Sequence, residues 1–434
     1  MNRLLLTLSI VVVVFLSKWN FCDSFKANVC DKLKVFFGLR QELYSCVIEC
    51  GNRKCQLACY SFIPSKSGRN LWLNKKFYKC SIPRVNEIVH EPEKFKETID
   101  VLLEGAKKNI PKAAWQETPL ILVGRPSLHD IASKYEIECL KHVMTSHLKN
   151  TGFLMPQEPM VLFTNTNEGL LSFFTHNLML GLLRSMELRA VAVLNLEMSA
   201  NQVTFVASKE EQKLEKYQQY ISSENFGTNN NFNIYSRGFP QLGISVVRKK
   251  IIENGTFEGG VYYTDCMSEY LKGYWFYKNT TYRVTGSKLG PLSMLKSKDW
   301  KYVGKGVNIE KCRMAVQRVV QPLPECPSLS GRQIYGLNSY FQAFAKAGLV
   351  DPIEGGSFSM ADLHNAVKDT CRNKDFIEEL LCMDFVYIDL LLRDFYKLRG
   401  HDTIYLTGKI RKCEVKATLG IAYLNLMAQV KKAK

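Results

Sequence analysis

The chain has 434 residues, of which 46% are hydrophobic and 23% charged, with a formal net charge of +17 and 14 cysteines. That balance excludes a disordered or collagen-like chain and supplies enough apolar material for two lobes, each with its own core. The positive field selects anionic partners in general, but no aromatic-interleaved basic array or nucleic-acid motif accompanies it, which argues against nucleic acid.

At the amino terminus Arg3 precedes a charge-free apolar run from Leu4 to Leu16, closed by Ser17 and Lys18. As a helix the run spans roughly 20 Å, short of the roughly 30 Å hydrocarbon core. Residues 1–24 therefore read as a cleaved signal peptide or, if uncleaved, as a short signal anchor, which would be the chain's only membrane attachment. The remainder is expected in the secretory-pathway lumen or outside the cell, where most cysteines pair. Two sequons, at Asn254 and Asn279, fit that compartment.

The stretch from Cys46 to Phe62, CVIECGNRKCQLACYSF, carries four cysteines at a spacing that is no standard zinc pattern. Read as strand, turn and strand, it puts Cys46 and Cys50 on one face of the first strand, and Cys55 and Cys59 on one face of the second. A cross-strand pairing such as Cys50 with Cys55 would pin the tip. Further strands are expected at 120–123, 160–164, 190–196 and 203–207 from their apolar, β-branched runs. Helices are expected at 93–109, from the stripe Phe95, Ile99, Leu102, Leu103 and Ala106, and at 168–184. Residues 210–231 read as a surface excursion, Ser359 as the N-cap of a helix, 375–398 as a long helical region, 403–406 as a strand and 415–430 as a closing helix. Strands alternating with helices give an α/β fold with mixed sheets.

Several of these segments, in order, resemble the apyrase or ectonucleoside triphosphate diphosphohydrolase family. The firmest piece, Asn167 to Gly181, is similar to that family's E-G-x-x-x-W-x-T-x-N-x-x-x-G helix, with Glu168, Gly169, Thr175, Asn177 and Gly181 in register. Tyr235, Phe239 and Gly243, the stretch Cys382 to Leu392, and Ile410 to Gly420 resemble later family segments. The resemblance implies a two-lobed actin/hexokinase-like (ribonuclease H-like) α/β fold stabilised by disulfides, with residues 40–163 plus 403–434 as one lobe and 164–402 as the other. It also implies bridges involving Cys371 with Cys382, and Cys266, Cys312 and Cys326.

The implied chemistry is attack of water on the terminal phosphate of a nucleoside di- or triphosphate, assisted by Ca²⁺ or Mg²⁺. Glu168 takes the place of the carboxylate that polarises the water, a role open to a carboxylate held within hydrogen-bond reach; it also complements a helix N-terminus. The first phosphate loop corresponds to Glu49, Cys50, Gly51, Asn52, Arg53 and Lys54, with Glu49 on the metal side and Gly51, Asn52 and Arg53 on the phosphate side. Arg53 and Lys54 either donate to phosphate or form an exposed basic tip. The second loop, D-L-G-G-A-S-T-Q in the family, is Asn195 to Gln202 here, with Asn195 on the metal side and Ser199 and Gln202 on the phosphate side. Glu197 and Met198 replace both glycines of that loop, and Gly124-Arg125-Pro126 replaces the start of an A-T-A-G motif. With several interdependent parts changed, hydrolysis is expected to be weak, altered or lost. The alternative is a non-catalytic secreted protein that binds a nucleotide or another anionic partner in the cleft between the lobes.

Overall fold

The computed structural model describes residues 42–432 apart from 66–70, 81–83, 184, 229, 270, 279, 288–306, 373–379 and 411–412. The leader and Asn279 therefore lie outside the described residues. The chain divides into two compact units: the first runs to Gly124 and includes Ile131–Leu162 and the end from Ile421, and the second comprises Arg125–Asp130 and Phe163–Gly420.

The first unit is built on a five-stranded sheet. Its elements are β1 (Leu43–Cys50), β2 (Cys55–Pro64), β3 (Leu71–Cys80), α1 (Pro92–Asn109), β4 (Leu120–Gly124), α2 (Lys134–Leu148) and β5 (Met160–Leu162), with strand order β3-β2-β1-β4-β5. The hairpins are antiparallel, while β4 runs parallel to β1 and β5. The apolar stripe foreseen for α1 is buried, and α2 begins with a Ser133–Glu136 capping box that satisfies two otherwise orphaned N–H groups. In the β1–β2 ladder Cys46 faces Cys59 and Cys50 faces Cys55, and both rungs are disulfides. The cross-strand pairing at the tip is thus present, with a second staple four residues further along each strand.

The second unit holds α3 (Asn165–Leu180), β6 (Ala192–Leu196), β7 (Asn201–Val206), β8 (Ile221–Glu224), β9 (Phe232–Phe239) and α4 (Ile244–Glu253). Four short strands follow, β10 (Thr256–Glu258), β11 (Val261–Thr264), β12 (Lys272–Tyr277) and β13 (Thr280–Gly286), then α5 (Ile309–Val320), β14 (Ile334–Asn338), α6 (Ser339–Lys346) and β15 (Gly356–Ser359). The unit ends with α7 (Leu363–Arg372), α8 (Leu381–Leu390), β16 (Thr403–Leu406) and the start of α9 (Ala417–Lys432). A seven-stranded sheet of order β15-β16-β14-β6-β7-β9-β8 is joined by a four-stranded one of order β10-β11-β13-β12. Every residue of α8 is buried, including Asp384 and Asp389. Arg248 takes Asp384 in a fork, and Arg313 and Arg393 share Asp389, because a buried carboxylate is tolerated only when paired.

The spacing of residues along α3 has mechanical reasons. The Thr175 hydroxyl donates to the Leu171 carbonyl at 2.7 Å, and Asn177 ties the helix to the chain entering β6 by accepting from the Val191 N–H at 3.0 Å. Gly420, at the start of α9, lies so close that a Cβ there would be 2.4 Å from the Thr175 oxygen.

Five sequence expectations change. The strand 403–406 belongs to the second unit, because β16 pairs with β14 and β15, so the chain joins the first unit at 421 instead of 403. Ser359 ends β15, and its hydroxyl accepts from Ala361 N–H in a turn rather than capping a helix. The helical region after 380 closes with a wide π turn at Leu391–Phe395. The segment 210–231 carries short helices and β8 in addition to loop. Cys371–Cys382 and Cys266–Cys312 are disulfides, but Cys326 is a free thiol pushed up to about 12 by burial.

Chain entropy makes the value of a bridge depend on the loop it closes. Replacing Cys266 and Cys312, separated by 46 residues, with serine should cost about 4 kcal/mol, against about 2 for Cys50 and Cys55, separated by 5, as read from equilibrium denaturation. A second expectation concerns His176 on α3. Its Nδ1 meets the Ser172 carbonyl, its buried Nε2 has no hydrogen-bond partner, and burial pushes its pKa down to about 4. Between pH 6.5 and 4 the unfolded chain takes up a proton that the folded chain refuses, so stability falls as pH falls through that window. His176→Phe should remove up to about 3 kcal/mol of this acid sensitivity in a stability-against-pH series.

Candidate active site

Glu168 sits in the first turn of α3, which is opened by a capping box in which Thr164 accepts from the Asn167 N–H at 3.2 Å. The carboxylate thereby lies at the positive end of a helix and is only 7% exposed. The ladder of β6 and β7 places Asn195 directly across from Gln202. Asn195 Nδ2 donates to Gln202 Oε1 at 2.8 Å, and Gln202 Nε2 donates to Glu168 Oε2 at 3.0 Å. Three residues singled out from the sequence, Glu168, Asn195 and Gln202, are therefore in one chain of hydrogen bonds.

Three further residues, Asn338, Glu197 and Arg125, close it into a ring. Strand β14 runs parallel to β6 and brings Asn338 beside this chain, where its Nδ2 donates to Asn195 Oδ1 at 2.6 Å and to Glu197 Oε1 at 2.5 Å. Arg125 completes the circuit: its Nε donates to Glu168 Oε1 at 2.7 Å and its Nη2 to Glu197 Oε1 at 3.0 Å. Asn338 adopts φ 53° and ψ −115°, a conformation costly for a residue with a Cβ, on the order of 1–3 kcal/mol. Its double amide contact, to Asn195 and Glu197, offsets that cost. Burial holds the Glu197 pKa above the usual carboxylate range, reinforced by the neighbouring Glu168 charge and opposed by Arg125.

The turn from β6 to β7 is clamped from behind. Helix α4 donates its first N–H groups to it, Ile244 to Glu197 O and Ser245 to Met198 O, each at 3.0 Å. These are donors that a helix end leaves without an intrahelical partner. Such closeness requires Gly243, where a Cβ would lie 2.1 Å from the Ser199 carbonyl carbon. Ser199 occupies this turn, half-buried, behind exposed Met198.

The other expected residues belong to the first unit or the surface. Glu49 is half-buried on β1, and Gly51, Asn52 and Arg53 form the β1–β2 turn, in which the Gly51 N–H donates to Lys54 O at 3.0 Å and Arg53 O accepts from Val85 N–H. Arg53 and Lys54 are exposed. Asn254 is exposed at the end of α4.

The Ca²⁺ or Mg²⁺ implied by the resemblance does not fit the donors of the second unit. Hard cations take several free oxygen ligands, whereas the Asn195 oxygen is held by Asn338 and the facing oxygens of Glu168 and Glu197 are held by a guanidinium. Among the described residues no group of three His, Cys, Asp or Glu residues could hold a metal ion. Arg125 and Asn338 escaped sequence reading as members of the site. Arg125 and Glu197 carried a signal, two opposite-charge departures from the family pattern, whereas nothing in the sequence marks Asn338.

Residues 39–338 match the GDA1/CD39 (nucleoside phosphatase) family. The chain belongs to that family. It is 24% identical over 389 residues to the ectonucleoside triphosphate diphosphohydrolase 5 of Mus musculus, covering 88% of this chain and 87% of that protein. Ectonucleoside triphosphate diphosphohydrolase 6 of Rattus norvegicus is 25% identical over 390 residues, covering 88% of this chain and 81% of that one. A crystal structure of nucleoside triphosphate hydrolases from Neospora caninum superposes with a TM-score of 0.61 at 12% identity, covering 94% of this chain and 96% of that chain. The expected actin/hexokinase-like (ribonuclease H-like) α/β fold with mixed sheets and disulfides is the fold of this nucleoside phosphatase-family chain.

The clamp on the β6–β7 turn is testable. Gly243→Ala forces a methyl group into backbone and should cost about 2–4 kcal/mol in urea denaturation.

Proposed function

We propose that this chain is a secretory-pathway member of the nucleoside phosphatase family whose hydrolysis of nucleoside di- and triphosphates is weak or lost. The observation that supports this is the engagement of Glu168 by Arg125. Both carboxylate oxygens of the water-activating candidate already accept hydrogen bonds, Oε1 from the guanidinium and Oε2 from Gln202. A water molecule bound there would share Glu168 with a charge-assisted bond that draws the carboxylate's charge toward Arg125 and away from the water. Glu197 adds a second carboxylate beside it, in a turn where the family pattern has glycine, and repels phosphate oxygens. Losing an acid–base or electrostatic contributor costs about 10² to 10⁴ in rate, and interdependent losses leave little turnover. The secretory assignment is supported by the four disulfides among the described residues, bonds that form and persist in oxidising compartments. Among the described residues no helix is long and apolar enough to cross a membrane.

The test is phosphate release from a panel of nucleoside di- and triphosphates with Ca²⁺ or Mg²⁺ present. Against a typical enzyme turnover of about 10 s⁻¹, the wild type should reach about 0.1 s⁻¹ or less. Arg125→Thr combined with Glu197→Gly should raise the rate at least about tenfold, and Glu168→Gln in that background should abolish the gain. Wild-type turnover near the typical value would overturn the reading. Thermal stabilisation by nucleotide without phosphate release would assign the protein to binding instead.

A further inference from the structure

We infer that Arg125 stands in for the divalent cation of this site: its guanidinium supplies the positive charge that the carboxylates require, and the folded unit takes up no Ca²⁺ or Mg²⁺ there. This rests on reading the Glu168 ring as the counterpart of the family's reaction site, and it concerns what balances the charge rather than how fast the site turns over.

The geometry is that of a filled cation position. One guanidinium reaches two carboxylates from two different elements, the first turn of α3 and the β6–β7 turn, with Nε at 2.7 Å from Glu168 and Nη2 at 3.0 Å from Glu197. A planar fork with fixed donors suits this bridging, and its charge is permanent at any physiological pH. The amide of Asn195, where the resemblance places a metal-side aspartate, is turned inward on both ends, to Gln202 and from Asn338.

The charge inventory supports the same substitution. Relative to the pattern the chain resembles, position 195 has lost a negative charge, position 197 has gained one and position 125 has gained a positive one. Two carboxylates still converge, but the charge that joins them is covalently attached to the chain. A divalent ion approaching them would meet a guanidinium already bonded to its would-be ligands, and like charges at such range repel strongly. Cation uptake therefore requires removal of Arg125, and a small neutral residue there should uncover a two-carboxylate site that a cation can repair.

The experiment uses the purified full chain in thermal denaturation at matched ionic strength, with millimolar CaCl₂, millimolar MgCl₂ or EDTA. The wild type should melt at the same temperature in all three. Arg125→Thr should melt lower in EDTA and regain most of the loss with Ca²⁺ or Mg²⁺, while Arg125→Lys should stay insensitive to both. A wild-type rise that Glu168→Gln removes overturns the inference, as does a folded Arg125→Thr variant that neither cation stabilises. Should that variant fail to fold, calorimetric titration of Ca²⁺ into the wild type decides: saturable binding abolished by Glu168→Gln overturns the inference, and no heat beyond dilution supports it. Because the readout is melting, its failure is separable from that of the proposed function: brisk turnover in EDTA would sink only the latter, and cation uptake without turnover only the former.

Discussion

A guanidinium held between two largely buried carboxylates is the constraint around which the second unit is arranged. Glu168 and Glu197 come from elements distant in the chain, and bringing both out of water is tolerable only because Arg125 joins them. The amides of Gln202, Asn195 and Asn338 add hydrogen bonds to Glu168 Oε2, to Glu197 Oε1 and to one another, which ties the polar groups of the ring into one network. Strain at Asn338 and the tight seat of the β6–β7 turn on α4 are consistent with a site over-determined by its surroundings.

The rest of the unit applies the same rule at a structural level. Asp384 and Asp389, carried inward by the wholly buried α8, each meet arginine. Those pairs join helices to one another, whereas the Arg125 pairs join the first turn of α3 to the β6–β7 turn.

Much of the scaffold was legible in the sequence. The stripe of α1, the β1–β2 hairpin and the helix beginning near Glu168 follow from side-chain period, and the Cys50–Cys55 bridge follows from alternation along two strands. The motif residues of α3 were legible as a register, although the sequence did not say that Thr175 packs on Gly420 or that Asn177 fastens the entry to β6. Local period also misled where tertiary pairing overrode it: Ser359 resembles a helix cap yet ends a strand, and residues 403–406 join the sheet of the second unit because β14 offers them an edge. Cys326 sits in a chain rich in bridges but, like Cys139 and Cys413, remains a free thiol.

By itself the sequence determined the α/β class, the family register, the oxidised cysteine framework around the first hairpin and the departure of the phosphate loops from the family pattern. These are properties of spacing and residue type, which local geometry converts directly into structure. Only the tertiary structure decided that Arg125 and Glu197 are partners across 72 residues, and that Asn338 seals the ring from 141 residues beyond Glu197. Side chains so far apart meet only when strands pair in parallel and a turn docks on a helix end. In the sequence, Glu168 is a candidate base; in the fold, it is one of two carboxylates joined by a guanidinium.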